Sequence, residues 1–291
     1  MPVDTAISAW QSLKILAGES AKIHITGGEP FLYWDHLQEI LEQGQKQNLG
    51  KVDLVETNGF WATNEKIVTQ RLKRLDQLGM NRFKVSTDPF HQQYVDIEPV
   101  RRLAEIATDI LGPERVLVRW QKYLENPIDM KSLSEAELEQ QYIDAMKDYP
   151  CRFTGRAGGK LAELVASKSV ESLAAMNCKS DFLAAKGVHI DPFGNVFSGT
   201  CSGIIVGNVN QTSLEDIWKQ FDPAQNGLIK TLFNSGPFGL LDKAAKLGYK
   251  REKFYASKCH LCTSIRQFFF GNSIEDSIIG PADCYADVSL K

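Results

Sequence analysis

The sequence predicts an α/β fold in its first half, followed by a smaller cysteine-bearing α+β region. Three observations carry that expectation. Strand-like and helix-like patterns alternate through the first 150 residues, which implies βαβ units and a parallel sheet. One strand-like run, Lys22-Ile23-His24-Ile25-Thr26, ends in Gly27-Gly28-Glu29-Pro30, and a double glycine at a strand end lets backbone approach a ligand closely. Beyond Pro150 the alternation stops, and all six cysteines (positions 151, 178, 201, 259, 262 and 284) lie in that second part.

Taken in order, Asp4 is placed to cap a helix with Ile7, Trp10, Leu13 and Ala17 on its apolar face, stopping at Gly18. A second helix opens near Asp35 with Leu37, Ile40 and Leu41 on one side, and Lys51 to Glu56 reads as the next strand. Thr63 or Asn64 caps a helix carrying Val68, Leu72 and Leu75 that ends at Gly79. Arg82 to Ser86 is a strand. Pro99 sits in the first turn of a helix whose stripe is Val100, Leu103, Ala104, Ala107, Ile110 and Leu111, stopped by Gly112-Pro113. Arg115 to Trp120 forms a further strand, and Ser134 opens an acidic helix to about Asp148. Periodicity does not choose between an open sheet and a closed barrel.

Further along, Leu161 to Met176 reads as a helix, and Gly187 to Phe197 as a hairpin turning at Asp191-Pro192-Phe193-Gly194-Asn195. Short helices are expected around Leu214 to Phe221 and Ala224 to Phe233, before Cys259-His260-Leu261-Cys262. The division into two regions is placed at 1–157 and 158–291.

The whole chain has 291 residues, 43% hydrophobic and 24% charged, with a net charge of −3. Such a balance gives no reason to expect nucleic acid or an anionic membrane as partner. No apolar run approaches a bilayer-spanning length, and Met1-Pro2-Val3-Asp4 lacks the layout of a secretory signal. A cytoplasmic location is expected, where neighbouring thiols are metal ligands or free residues more often than disulfides.

The strand ends share a chemistry. Thr26-Gly27-Gly28-Glu29, then Glu56-Thr57-Asn58-Gly59, then Ser86-Thr87-Asp88-Pro89-Phe90-His91, then Arg119 would all lie at one mouth of a parallel sheet. Together they offer carbonyls, a carboxamide, a hydroxyl, carboxylates and a guanidinium, a set suited to a zwitterionic, hydroxyl-bearing ligand. Each also has a plainer reading: Asn58-Gly59 is a common turn pair, Asp88 before Pro89 a frequent turn opener, and a His beside an aromatic is often only packed. His91 and Arg156 are candidates to face a substrate.

With these residues in view, the chain resembles the radical S-adenosylmethionine (SAM) superfamily. Gly27-Gly28-Glu29-Pro30 matches the motif whose backbone grips the SAM methionine amino group, and Asn58 looks like its counterpart on the next strand. Ser86 and Asp88 resemble residues near the ribose and methionine parts, and Arg119 a carboxylate-binding position. The resemblance implies a partial (β/α)6 barrel, here missing its first strand. It also implies reductive SAM cleavage, hydrogen abstraction from a substrate such as a peptide or protein, and an electron donor such as a flavodoxin or ferredoxin. The family's CxxxCxxC loop, which holds the catalytic [4Fe–4S] cluster, has no counterpart: no cysteine precedes Cys151. The expectation is a truncated protein, inactive as given, whose catalytic cluster would need an upstream segment. The alternative is a degenerate, non-catalytic binding protein with structural zinc or iron–sulfur.

In the second region a CxxC pair suits zinc, a cluster, a redox dithiol or nothing. Cys178, the hairpin, Cys201, Gly207-Asn208-Val209 and the CxxC resemble the SPASM or twitch extension of the same superfamily. That implies one auxiliary [4Fe–4S] cluster on Cys178, Cys201, Cys259 and Cys262, with zinc as the alternative. Cys284 would substitute for one ligand or be a free thiol, and Cys151 is read as a small buried residue.

Overall fold

A computed structural model describes residues 1–183, 187–199, 201–225, 227–274 and 277–285, and gives no account of the side chains of Arg156 and Leu183. The chain divides into two compact units, Met1–Ala145 and Met146–Lys291.

The N-terminal unit is built on a four-stranded, all-parallel sheet: β1 (His24–Ile25), β2 (Val52–Thr57), β3 (Met80–Ser86) and β4 (Val116–Arg119), in that spatial order. Each crossover advances the sheet by one strand with no reversal. A doubly wound sheet would reverse at a switch point, so the arrangement is that of a partial α/β barrel. Five strands would be needed for a (β/α)6 barrel lacking its first; the described residues supply four.

The helices are α1 (Val3–Ala17), α2 (Trp34–Lys46), α3 (Glu65–Gln77), α4 (Pro89–Gln92), α5 (Ile97–Leu111), α6 (Gln121–Glu125) and α7 (Glu135–Asp148). Asn64 caps α3, its side chain accepting from Ile67 N–H, and Asp88 caps α4 by accepting from His91 N–H. Asp4, in contrast, lies inside the first turn of α1, where a carboxylate complements the helix dipole but makes no capping bond. Val68, Leu72 and Leu75 of α3 and Val100, Leu103 and Ala107 of α5 pack with Val55, Phe83 and Val85 of the sheet. Each such fully buried side chain contributes about 1.5–3 kcal/mol. Gly44 in α2 allows Trp10 of α1 to approach, since a Cβ there would stand 2.4 Å from the indole.

Strand register sorts the side chains. Val55, Thr57, Phe83 and Val85 face the helices, while His24, Glu56, Lys84, Ser86 and Arg119 share the opposite face.

The C-terminal unit contains α8 (Arg156–Lys160), β5 (Lys168–Ser169), α9 (Lys179–Leu183), β6 (Val188–Ile190), β7 (Asn195–Ser198), β8 (Gly207–Asn208), α10 (Leu214–Gln220), α11 (Gly227–Ser235), α12 (Leu241–Lys246), β9 (Phe254–Tyr255) and α13 (Lys258–Gly271). The expected hairpin is present as β6–β7, with β8 added antiparallel. Asp191 fixes its turn by accepting from the N–H groups of Phe193 and Asn195, both at 2.9 Å. The helix expected over Leu161 to Met176 does not form. Lys168–Ser169 instead pairs antiparallel with Phe254–Tyr255, and Ser169 caps a single 3-10 turn at Val170–Leu173. Among the described residues no helix is long and apolar enough to cross a membrane.

Candidate functional site

At the C-terminal end of β1, Gly27 (φ 82°) and Gly28 (φ 54°) adopt left-handed conformations that side chains disfavour. A Cβ added to either would meet nothing within 4 Å. The glycines therefore serve backbone shape and leave open space beside it. Among the described residues, no hydrogen bond satisfies the N–H or C=O of either glycine, so these groups remain available to a ligand.

Glu29 holds this loop in place. One carboxylate oxygen accepts from Phe31 N–H at 3.0 Å and from the Thr57 hydroxyl at 2.9 Å; the other accepts from Asn58 N–H at 2.7 Å. Burial pushes the Glu29 carboxyl up from its ordinary value, opposed by the hydrogen bonds from Asn58, Phe31 and Thr57 and by the charge of His91. The Thr57 oxygen in turn accepts from Trp61 Nε1–H at 3.0 Å, and the Trp61 ring stacks on Phe31 with centroids 4.3 Å apart. The glycine loop is thus tied to the end of β2 by hydrogen bonds above and an aromatic stack beneath.

The other candidates at this mouth are placed as follows. Asn58 is half-buried, and its side-chain oxygen accepts from Phe60 N–H at 3.1 Å. Asp88 is 2% exposed and spends both oxygens on His91, one on the backbone N–H at 3.0 Å and one on ring Nδ1 at 2.5 Å. That fixes the ring, and among the described residues no hydrogen bond engages Nε2. Pro30 starts a 3-10 turn whose first cap is Glu29. Arg119 is exposed at the end of β4, its guanidinium 4.2 Å from the Trp120 ring centroid. Ser86 turns to the other sheet face, donating to Glu56 at 2.7 Å.

That bond belongs to a network the sequence reading missed. Glu56 also meets Lys84 Nζ at 2.8 Å, His24 Nε2 at 3.1 Å and the Thr26 hydroxyl at 3.1 Å. Burial acts to raise the Glu56 carboxyl, but hydrogen bonds from His24, Lys84 and Ser86 outweigh it and hold the group well below the usual carboxylate range. The signal was a charged residue flanking apolar Val55 in β2 (Glu56) and another between Phe83 and Val85 in β3 (Lys84); seeing them as a pair requires the register Glu56↔Lys84.

In the C-terminal unit, the three chain segments that carry the late cysteines lie in one neighbourhood. Lys258, first residue of α13, donates to Asn177 O and to the Asp181 carboxylate, both at 2.7 Å. This ties the CxxC turn to the start of α9, next to Cys178. The Ser198 hydroxyl donates to Phe182 O at 2.9 Å, bringing the end of β7, and so Cys201, against the same helix. Cys178 lies within electrostatic range of Cys262 and Cys201, and Cys201 within range of Cys262 and Cys259. Burial, reinforced by the neighbouring thiols, pushes Cys178 up to about 12. Burial likewise pushes Cys201 up to about 12, against the pull of Arg266. All six cysteines are free of disulfides. Among the described residues, no three His, Cys, Asp or Glu side chains are grouped closely enough to hold a metal ion as they stand.

Cys151 is half-buried. Cys284 is half-buried and feels the charge of Arg266. His260, between the two CxxC cysteines, accepts from Ala256 N–H through Nδ1 at 3.2 Å, which occupies that nitrogen. Arg156 opens α8, and its side chain lies outside what is described.

One residue at this centre went unread in the sequence: Arg266, four positions after Cys262 on the otherwise apolar stripe Leu261, Ile265 and Phe269. It is 2% exposed, and among the described residues its Nε–H has no hydrogen-bond partner.

No family model matches the chain, and no curated protein does. A solved structure, that of BtrN in complex with AdoMet and 2-DOIA, is similar with 18% sequence identity and a TM-score of 0.43, over 81% of this chain and 76% of that one. Similarity at that level assigns neither fold nor chemistry.

Proposed function

We propose that this chain is a radical SAM-type protein, with a SAM-binding strand edge in its first region and a metal centre of the SPASM or twitch kind in its second. The observation that supports it most is the Glu29-anchored loop. A buried carboxylate fixes two left-handed glycines whose backbone groups are unused and whose surroundings are open. In this reading Gly27, Gly28, Glu29 and Pro30 hold the methionine end of SAM, with Asn58 and Asp88 beside it. Ser86, bonded to Glu56, and Arg119, stacked on Trp120, would approach other parts of the ligand. The sheet is read as part of a (β/α)6-type barrel, and the functional regions as 1–157 and 158–291.

With a reduced catalytic [4Fe–4S] cluster, such a site would support reductive SAM cleavage and radical chemistry on a substrate, for which a peptide or protein is proposed. His91, its ring oriented by Asp88 and its Nε2 without a hydrogen bond among the described residues, would face that substrate or move a proton at Nε2. An electron donor of the flavodoxin or ferredoxin type and a cytoplasmic setting complete the proposal.

The second region is read as a thiolate site on donor type alone, since among the described residues no three of its ligating side chains are close enough to hold a metal as they stand. Four neighbouring cysteines on three segments are accompanied by two cations, Lys258 and Arg266, the second without a carboxylate partner among the described residues. Cys178, Cys201, Cys259 and Cys262 would hold one auxiliary [4Fe–4S] cluster, or zinc, once drawn closer together.

The second reading is a non-catalytic SAM-binding protein, favoured by the lack of any cysteine before Cys151. Calorimetry with SAM, paired with an assay for 5′-deoxyadenosine after anaerobic iron–sulfur reconstitution, separates the two. Binding without cleavage by this chain is the expected result. Cleavage would show that the catalytic cluster has ligands other than a CxxxCxxC loop, and no binding at all would overturn both readings.

A further inference from the structure

The stretch from Leu241 to Phe254 departs from the charge balance of the rest of the chain. It carries Lys243, Lys246, Lys250, Arg251 and Lys253 against Asp242 and Glu252, in a protein whose net charge is −3. Folding concentrates the excess. Lys168–Ser169 of β5 pairs with Phe254–Tyr255 of β9, and Val170 N–H donates to Lys253 O at 3.2 Å. Lys168, distant in sequence, thereby joins the same surface. Glu171 comes with it and stands 3.6 Å from Arg251, both side chains largely exposed. Lys168, Lys246, Lys250 and Lys253 are exposed and make no ion pair among the described residues.

This segment is pinned from beneath. Tyr255 is 1% exposed, and its hydroxyl accepts from Glu252 N–H and shares a hydrogen bond with the Tyr249 hydroxyl, both at 2.9 Å. The Tyr249 hydroxyl also meets Ser264 Oγ at 2.8 Å, and Tyr249 N–H donates to Ala244 O at 2.9 Å, closing α12. The backbone that carries the cations is therefore held in place. On the same segment two apolar side chains stand out of the fold, Leu247 at 47% and Phe254 at 56% exposure. Either alone is ordinary on a protein surface. Together, on a segment otherwise lined by unpaired cations, they reproduce the layout of a protein-binding patch: an apolar anchor with a charged rim.

We propose that this face of the C-terminal unit, β5–β9 with the turn after α12, docks an acidic polypeptide segment. Carboxylates of the partner pair with Lys168, Lys246, Lys250 and Lys253, and one of its apolar side chains packs on Phe254 and Leu247. The inference depends on neither the glycine loop nor the cysteines. Charge complementarity sets the sign of the partner. A nucleic acid also answers that sign, but the chain as a whole is negative and repels a polyphosphate. An anionic bilayer takes up an amphipathic helix with a broad apolar face, whereas the two apolar side chains here stand on a turn and a two-residue strand.

Binding of a labelled synthetic peptide, glutamates flanking a single phenylalanine, is measured by fluorescence anisotropy at low salt on the full chain. Its glutamine analogue, phosphatidylglycerol vesicles and single-stranded DNA are measured alongside. Two variants are compared with wild type: Lys246→Glu combined with Lys250→Glu and Lys253→Glu, and Phe254→Ser alone. Each is expected to bind the acidic peptide about tenfold more weakly. Because the altered side chains are exposed, both should keep the wild-type Tm.

No binding of the acidic peptide by wild type overturns the inference, as does equal binding of the glutamine analogue. Full affinity in Phe254→Ser reduces the patch to unspecific ion attraction and rejects the docking site. Tighter binding of the vesicles or of the DNA, lost in the same variants, assigns the face to that partner instead and also rejects the inference. If either variant fails to fold, wild type decides: affinity for the acidic peptide must fall steeply with salt, and a salt-independent affinity contradicts the proposal.

Discussion

In the N-terminal unit the buried Glu29 carboxylate accepts three hydrogen bonds, from Phe31, Thr57 and Asn58, whereas the buried Arg266 guanidinium of the C-terminal unit donates to Ser202 O and to the Tyr285 and Thr263 hydroxyls and keeps one N–H without a partner among the described residues. Both are charged groups taken out of water, and both carry the usual cost of burial. Glu29 is answered by the protein itself, so its loop is complete without a ligand, and what it leaves unused is backbone at Gly27 and Gly28. Arg266 is answered only in part. The contrast separates a loop whose buried charge is fully answered by the protein from a buried cation that keeps one donor without a partner among the described residues.

Removing the thiols breaks the comparison most directly. Cys259→Ser combined with Cys262→Ser should abolish metal retention while leaving SAM binding at the glycine loop intact, read by metal analysis and calorimetry on the same preparations. Loss of SAM binding in that variant would show that the two centres are not separate.

Glu29→Ala is the corresponding cut in the N-terminal unit. It strands Asn58 and Phe31 N–H groups and the Thr57 hydroxyl, and should cost about 3 kcal/mol in urea unfolding together with SAM affinity. Retention of full affinity would mean that the loop is held by the Phe31–Trp61 stack and not by the carboxylate.

The two N-terminal carboxylates should also part company with pH. Glu56 is held below its ordinary value of 4.5, so its contribution to stability is complete above that pH and is lost as pH falls through its lower folded value. Glu29 is raised above its ordinary 4.5, so it takes up a proton more readily folded than unfolded and costs stability as pH rises through the raised value. Glu56→Gln should therefore be less stable than wild type at neutral pH by about 1–2 kcal/mol, with the gap closing below pH 4.5. A constant gap across that range would contradict the assigned direction for Glu56.

Smallest in stability is Gly28→Ala. With φ at 54° and open space around it, the substitution should cost about 1 kcal/mol through backbone strain alone, read by thermal unfolding. Its effect on SAM affinity should be larger than that strain, because the added methyl occupies the approach to the backbone.

Much of the N-terminal unit was legible because its signals are local. The α5 stripe from Val100 to Leu111, the Asn64 cap and the Gly18 and Gly112 stops each act within a turn or two of themselves. The glycine loop and Asn58 were legible for the same reason. The Glu56–Lys84–His24 network was not, since it exists only once three strands are in register. In the C-terminal unit, apolar residues between Leu161 and Met176 imitate a helix, but Lys168–Ser169 is recruited by Phe254–Tyr255, some 85 positions later, and tertiary pairing overrides local propensity. The cysteines were visible only as residue types; the burial of Arg266 shows only after α13 is packed against the Ser202 and Tyr285 segments.

The most direct test of the central proposal, that Cys178, Cys201, Cys259 and Cys262 hold a metal, is metal and acid-labile sulfide analysis of the chain isolated anaerobically. The account predicts iron and sulfide in equal amounts, about four of each per chain, or stoichiometric zinc in the alternative form, and none in the Cys259→Ser/Cys262→Ser variant. Wild-type protein with neither metal after reconstitution, or metal retained undiminished by that variant, would contradict it.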